Sequence, residues 1–228
     1  MLFKKINVQP AVSLIEILIS LSLASFILLI ASSLYSQYYY TQSKQRELLN
    51  LQTHTHQLLD YFQQHIQHMN YQGNYRENSN FDLFSSKDKN YLLEGKQCLM
   101  FFYDLNGDGC IGNRNKTQAC QVQGLNKTNN IAKELFGFKF ENQAIYIYED
   151  NQIQTCYGQE CEIFAKGCNI GKWSKMADMG DYIVTQLNFS WLKEDKLLKI
   201  ELSLKSTKLP KVEYSATAYS YLFNSGED

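Results

Sequence analysis

At 228 residues, 44% of them hydrophobic and 20% charged, the chain has room for one membrane-length helix and a soluble domain of roughly 150 residues with a sizeable core. Lys and Arg total 22 against 23 Asp and Glu, and the pI is near 6.4, a balance that excludes bulk electrostatic attraction to nucleic acid.

The chain opens with MLFKKINVQP, in which Lys4 and Lys5 are the only charges, and runs on through AVSLIEILISLSLASFILLIASSLY to Tyr35. Glu16 is the sole charge between Lys5 and Lys44. The apolar run exceeds the roughly 7 to 15 residues of a secretory signal core, and at ~1.5 Å per residue it can cross a ~30 Å hydrocarbon layer. It is therefore expected to anchor the chain, with its basic leader on the cytoplasmic side. A carboxylate left charged at the bilayer centre costs about 2.5 to 3.5 kcal/mol on insertion scales, so Glu16 marks a functional position with a partner elsewhere.

The leader followed by Ala11, Val12, Ser13, Leu14, Ile15 and Glu16 resembles the type III signal sequence of the type IV pilin and pseudopilin superfamily, with Ala11 standing for Gly and Val12 for Phe. The resemblance implies cleavage by a prepilin peptidase between Ala11 and Val12, N-methylation of Val12, and a role for Glu16 in filament assembly. It implies four partners: the peptidase, other pilins or minor pilins, an inner-membrane assembly platform and the lipid bilayer. A plain signal anchor, left uncut, is the competing reading.

No Gly or Pro interrupts residues 11 to 72. Beyond Lys44, the residues Leu48, Leu51, Leu58, Phe62, Ile66 and Met69 recur at steps of 3, 7, 4, 4 and 3, with Thr55 in the gap. Polar Lys44, Arg46, Gln57, Gln63, Gln64 and Gln67 occupy the other side, so this half of the helix is expected to lie on a globular domain and to end near Met69. Tyr35, Tyr38, Tyr39 and Tyr40 fall between the halves, where interfacial aromatics belong. The expected organisation is a leader over 1–11, a transmembrane or filament-core segment over 12–35, an amphipathic segment over 36–72 and a globular domain over 73–228.

Gly73 to Glu94 is rich in Asn, Ser, Asp and Lys and reads as a long surface loop with room for a short helix. Strands are predicted at Cys98 to Tyr103, at FKF and AIYIY within Phe138 to Tyr148, at Ile183 to Leu192, at Leu197 to Leu204 and at Val212 to Phe223. The charged turn Lys193 to Lys196 makes a hairpin of the third and fourth of these regions. A long helix followed by an antiparallel meander predicts an α+β layer arrangement; the resemblance implies the pilin-like version of it. The block Trp173 to Phe189 is similar to the second half of PilW-type minor pilins, and Tyr219 to Asn224 resembles their final strand and that of the larger type II secretion pseudopilins.

Six cysteines, Cys98, Cys110, Cys120, Cys156, Cys161 and Cys168, lie outside the helix with no CxxC pair. Beyond the inner membrane, that even number favours disulfides over a metal site. Six thiols allow 15 pairings, and the sequence does not choose among them. Local closure would join Cys110 to Cys120, Cys156 to Cys161 and Cys98 to Cys168.

Asp104, Asn106 and Asp108, followed by Gly109, fit the opening half of a calcium loop, with the carbonyl of Cys110 as a fourth ligand. Its twelfth position is Asn115 rather than Glu, and the same residues make tight turns without metal. Calcium is thus the one cofactor the sequence raises. His54, His56, His65 and His68 read as a solvated polar face. No GxSxG motif or phosphate-cradling glycine loop is present, so catalysis is not expected. Lys193, Lys196, Lys199, Lys205, Lys208 and Lys211 interleave with Glu194, Asp195, Glu201 and Glu213, so direct DNA contact is not expected either. The sequence reads as a non-enzymatic minor pilin of a type IV pilus. The alternatives are a type II secretion pseudopilin and a signal-anchored periplasmic binding protein that does not polymerise.

Overall fold

The computed structural model describes residues 13–73, 79–85, 89–115, 118–149, 153–176 and 180–224. Two compact units partition the chain, Met1–Arg46 and Glu47–Asp228.

Helix α1 spans Leu14–Gln67 and belongs to both units. Within the first, every described side chain from 13 to 42 is exposed. The hydroxyls of Ser20, Ser22, Ser25 and Thr41 donate back to carbonyls three or four residues earlier. Those polar groups are satisfied within the helix, as a lipid environment demands. Among the described residues α1 is the one helix long and apolar enough to cross a membrane.

In the second unit α1 buries Leu51, Thr55, Leu58, Leu59, Phe62 and Ile66. Leu59 widens the stripe that the sequence pattern traced. The helix stops two residues short of Met69, because Asn70 turns left-handed at φ 62° and donates its N–H to Phe102 O at 3.1 Å.

The stripe packs on two antiparallel sheets. The strands of the larger are β1 (Tyr91–Glu94), β2 (Cys98–Phe102), β5 (Leu135–Glu141), β6 (Ala144–Tyr148) and β7 (Trp173–Lys175), in the order β1-β2-β5-β6-β7. The other is β10-β9-β8, from β8 (Tyr182–Lys193), β9 (Leu197–Ser206) and β10 (Glu213–Tyr221). A small pair, β3 (Gln121–Val122) with β4 (Leu125–Asn126), lies in the long loop. Asn142 and Gln143, at φ 50° and 61°, make the tight β5–β6 turn.

Strand β2 explains its own composition. Leu99 and Phe101 enter the core beneath α1, whereas Cys98, Met100 and Phe102 enter a second core on the opposite face. A strand covered on both faces reads as a continuous apolar run. The first core joins α1 to both sheets through Phe62, Phe138, Phe189 and Ile200, with the rings of Phe62 and Phe138 4.8 Å apart. The second is built from loop elements: the short helix α2 (Phe81–Phe84) and the 3-10 turns Ile131–Glu134 and Ile163–Lys166.

The region read as a surface loop before Glu94 therefore needs correction. Phe81 and Phe84 are 2% and 1% exposed, and β1 starts at Tyr91. Two phenylalanines amid Asn, Ser and Lys carry the burial while their neighbours set the composition.

Candidate functional site

The first candidate is the start of α1. Ser13 O accepts the N–H groups of Glu16 and Ile17, at 3.0 and 3.3 Å, and so begins the helix. Glu16 Oε2 accepts the N–H of Ser13 at 3.2 Å. An acid three residues into a helix that reaches back to the capping position is half of a capping box, and the helix dipole favours its charge there. The carboxylate is exposed, in a segment whose Leu14, Ile15, Leu18, Phe26 and Ile27 are each more than half exposed. Such a surface needs lipid or other helices around it. Ala11 and Val12 lie outside the described residues.

The second candidate is the Asp104 loop. Asp104, 2% exposed, accepts four backbone N–H groups: Gly107 and Asp108 on Oδ1, Gly73 and Gly109 on Oδ2, at 2.6 to 3.1 Å. Asn106 Oδ1 accepts from Asp108, and Asp108 from Cys110 and Arg114. Glu134, also 2% exposed, completes the arrangement by accepting from Leu105, Asn106 and Gly112. Burial pushes the Glu134 carboxyl up to about 7; Asp104 and Asp108 add to the rise, against the pull of the Gly112 and Asn106 N–H groups.

The oxygens that calcium would need are thus turned toward backbone donors. Among the described residues no three His, Cys, Asp or Glu side chains are arranged to hold a metal ion. Asp104, Asn106 and Asp108 accept backbone N–H groups in the manner of side chains that shape a tight turn. Gly112, at φ 82°, lets this loop pass the Asn129 carbonyl, which a Cβ would meet at 2.6 Å.

The histidines depart from a simple solvated face. His56 and His68 are exposed, but the ring of His54 lies 5.0 Å from that of Tyr182. His65 is half-buried between Tyr61 and Phe136, with Nδ1 3.1 Å from the Tyr103 hydroxyl. Burial, then His68, holds the His65 pKa below its ordinary value. Lysines of the C-terminal hairpin are engaged by acids, Lys199 with Glu201 and Lys208 with Asp181, and Lys89 reaches across to Glu194. The cysteines form three bridges, Cys98–Cys168, Cys110–Cys120 and Cys156–Cys161.

A family model described as Prepilin peptidase-dependent protein B matches residues 44–222. The chain belongs to that family. It is therefore a prepilin peptidase-dependent, pilin-related protein, and its apolar first helix suggests membrane anchoring. The matched stretch begins beyond Glu16, so the family and the N-terminal motif are separate lines of observation. An uncharacterized protein of Haemophilus influenzae is 32% identical over 148 residues, 62% of this chain and 61% of that relative's length. No solved structure matches the chain.

Two residues escaped the sequence reading. Asn80 is fully buried; its amide donates to Ile111 O, Asn126 Oδ1 and Thr128 Oγ1, and its Oδ1 accepts from Ile111. Glu134 had no comparable signal, because Lys133 beside it makes the pair read as an ordinary charged turn before Leu135.

Proposed function

We propose that the protein is a minor pilin: a non-enzymatic subunit, held in the inner membrane by one helix with its domain in the periplasm, that enters a pilus or pseudopilus at its tip or in its priming complex. The observation that carries this reading is Glu16, the one charge of the exposed, membrane-length first segment of α1, whose carboxylate touches only the start of its own helix among the described residues.

In a filament the apolar helices bundle away from water. Cleavage after Ala11 would leave a methylated amine on Val12, and the amine of one subunit could pair with Glu16 of its neighbour. Pairing relieves two desolvation costs at once, whereas removing either partner strands a buried charge. The partners are the prepilin peptidase, other pilins or minor pilins and the inner-membrane assembly platform. The bulk of the loops suits a subunit present in few copies, and the acid-paired lysines favour protein neighbours over DNA.

Glu16→Ala is expected to leave the protein in the membrane, cleaved, but absent from sheared filaments and from pull-downs of the other minor pilins. Normal piliation in that variant sinks the reading. The intact mass of the mature protein separates it from a signal-anchored periplasmic module. A mass that begins at methylated Val12 supports a filament subunit, of a pilus or of a type II secretion pseudopilus, and an uncut Met1 supports the module.

A further inference from the structure

Strand β1 pairs with β2 alone, so on its other side the outward backbone N–H and C=O groups of Tyr91–Glu94 have no strand against them. Strand β8 lies at the edge of the other sheet, and the two edges are clasped at two points. Phe189 donates its N–H to Lys96 O at 2.7 Å just past the end of β1, and Lys89, just before its start, pairs with Glu194. No strand pairing joins β1 to β8 between those points.

A cleft of ≈ 610 Å³ opens along this edge, lined by all four β1 residues, by Phe164, Ala165 and Gly167, and by Trp191. Phe164 belongs to the far core and Trp191 packs on the near one, so the two rings wall the edge on opposite faces of the sheet. The far wall is fixed in advance. Cys168, next after Gly167, is bridged to Cys98 of β2 and donates its N–H to Glu94 Oε2 at 2.8 Å. A preformed slot loses little ordering entropy when it is filled.

Polar groups at the cleft are left over. The Tyr91 hydroxyl, Trp191 Nε1 and, beside Tyr91, Asp195 Oδ1 are buried without a hydrogen bond of normal geometry. Tyr91 is 6% exposed, and burial, then Asp195, pushes its hydroxyl pKa up. By contrast, Glu94 is engaged by Cys168 and Lys89 by Glu194.

We propose that this cleft binds an extended, uncharged peptide segment of another polypeptide, which adds as a strand to the free edge of β1. An extended chain repeats donor and acceptor along a strand edge at ~3.4 Å per residue, so about four residues cover β1. One of its carbonyls accepts the Trp191 indole N–H, and one of its amides donates to Asp195. Its side chains alternate between the Phe164 wall and the Trp191 wall, which suits small and β-branched residues and leaves a charged one without a partner. A hydrocarbon chain would fill the same space and leave the edge groups unpaired. The inference does not rest on the filament reading.

The probe is a fluorescein-labelled peptide, Thr-Val-Thr-Val-Thr, titrated against the full-length protein in detergent and followed by fluorescence anisotropy. Saturable binding is expected, and hydrogen exchange at the β1 amides should slow in the complex. Methylating the backbone nitrogens of the peptide should weaken binding roughly tenfold or more, the scale of two lost backbone hydrogen bonds. Ala165 is exposed and lies outside both cores, so Ala165→Phe should plug the cleft and abolish binding with the thermal midpoint unchanged. Trp191→Phe keeps a ring, loses the N–H, and should weaken binding about fivefold. No binding at millimolar peptide overturns the proposal. Equal affinity for the methylated peptide overturns it as well, because apolar contact alone then holds the chain, and so does full binding by Ala165→Phe, because the peptide then sits elsewhere. Each of these failures leaves the role of Glu16 untouched.

Discussion

Asp104 illustrates how much one side chain can organise. Its two oxygens divide four N–H donors between them, so replacing Oδ2 by an amide sets a donor against the N–H groups of Gly73 and Gly109. Asp104→Asn should cost about 2 to 4 kcal/mol, the scale of two buried donors losing their acceptor. Urea unfolding of the protein checks it, and the loss should be the same with calcium or with a chelator present; a loss confined to the calcium sample supports a cation at this loop. Glu134 adds a pH dependence. Its proton is held to about pH 7 in the fold against 4.5 ordinarily, so the stability tied to that proton is complete below pH 4.5 and lost as pH climbs through 7. His65 acts in the opposite sense, because its lowered pKa makes its contribution stand above its ordinary value of 6.5 and fall on acidification. Glu134→Gln should therefore flatten the decline in urea midpoint between pH 4.5 and 7, worth up to about 3 kcal/mol, and leave the acid-side loss in place. Asp104 was legible as a turn former from its Asn-Gly and Asp-Gly neighbours. Glu134 was not, because it acts on a loop that comes many residues earlier in the chain.

Among the elements, the long helix and the five principal strand regions were legible because each is either periodic, at 3.6 or 2, or, like β2, a short unbroken apolar run. Strand β8 shows what an imperfect period means. Tyr182 and Val184 face the core, and then Leu187 and Phe189 do, so the inward parity changes between them. The register with β9 shifts between Val184 and Gln186, and this bulge absorbs the extra residue. The two adjacent polar residues Thr185 and Gln186 were its trace in the sequence. Strands β1 and β7 left no such trace, being only 4 and 3 residues long. Strand β7 depends on a close approach instead. A Cβ on Gly137 of β5 would lie 2.9 Å from the Trp173 indole, 3.1 Å from Tyr148 and 3.2 Å from Met100. Gly137→Ala should displace Trp173 and cost about 1 to 3 kcal/mol by overpacking. A lowered thermal midpoint accompanied by a red-shifted Trp173 emission is the expected signature; an unchanged indole environment argues that the strand yields without loss.

Taken whole, the domain is one sheet covered on two sides by layers of unequal self-sufficiency. The near layer, α1 with the β10-β9-β8 sheet, is held by long elements with their own hydrogen-bond ladders. The far layer is made of one-turn helices and loops, too short to be stable without fixed ends, and four of the six cysteines, Cys98, Cys156, Cys161 and Cys168, lie in the core beneath it. Its composition looked like surface, and only folding brings Phe81, Ile111, Ile131 and Phe164 together. Loop-closure entropy ranks the bridges: removing Cys98–Cys168, Cys110–Cys120 or Cys156–Cys161 as Ser pairs should cost about 4, 3 and 2 kcal/mol. The two tryptophans report the layers separately, since Trp173 packs against the far core and Trp191 against the near one. With Trp191→Phe, the remaining indole follows the far layer; with Trp173→Phe, it follows the near layer. A reducing agent at moderate urea should shift Trp173 emission to longer wavelength while Trp191 still emits as in the folded protein. Coincident transitions in the two variants mean that the layers unfold as one cooperative unit, and the bridges then stabilise the whole domain instead of one face of it.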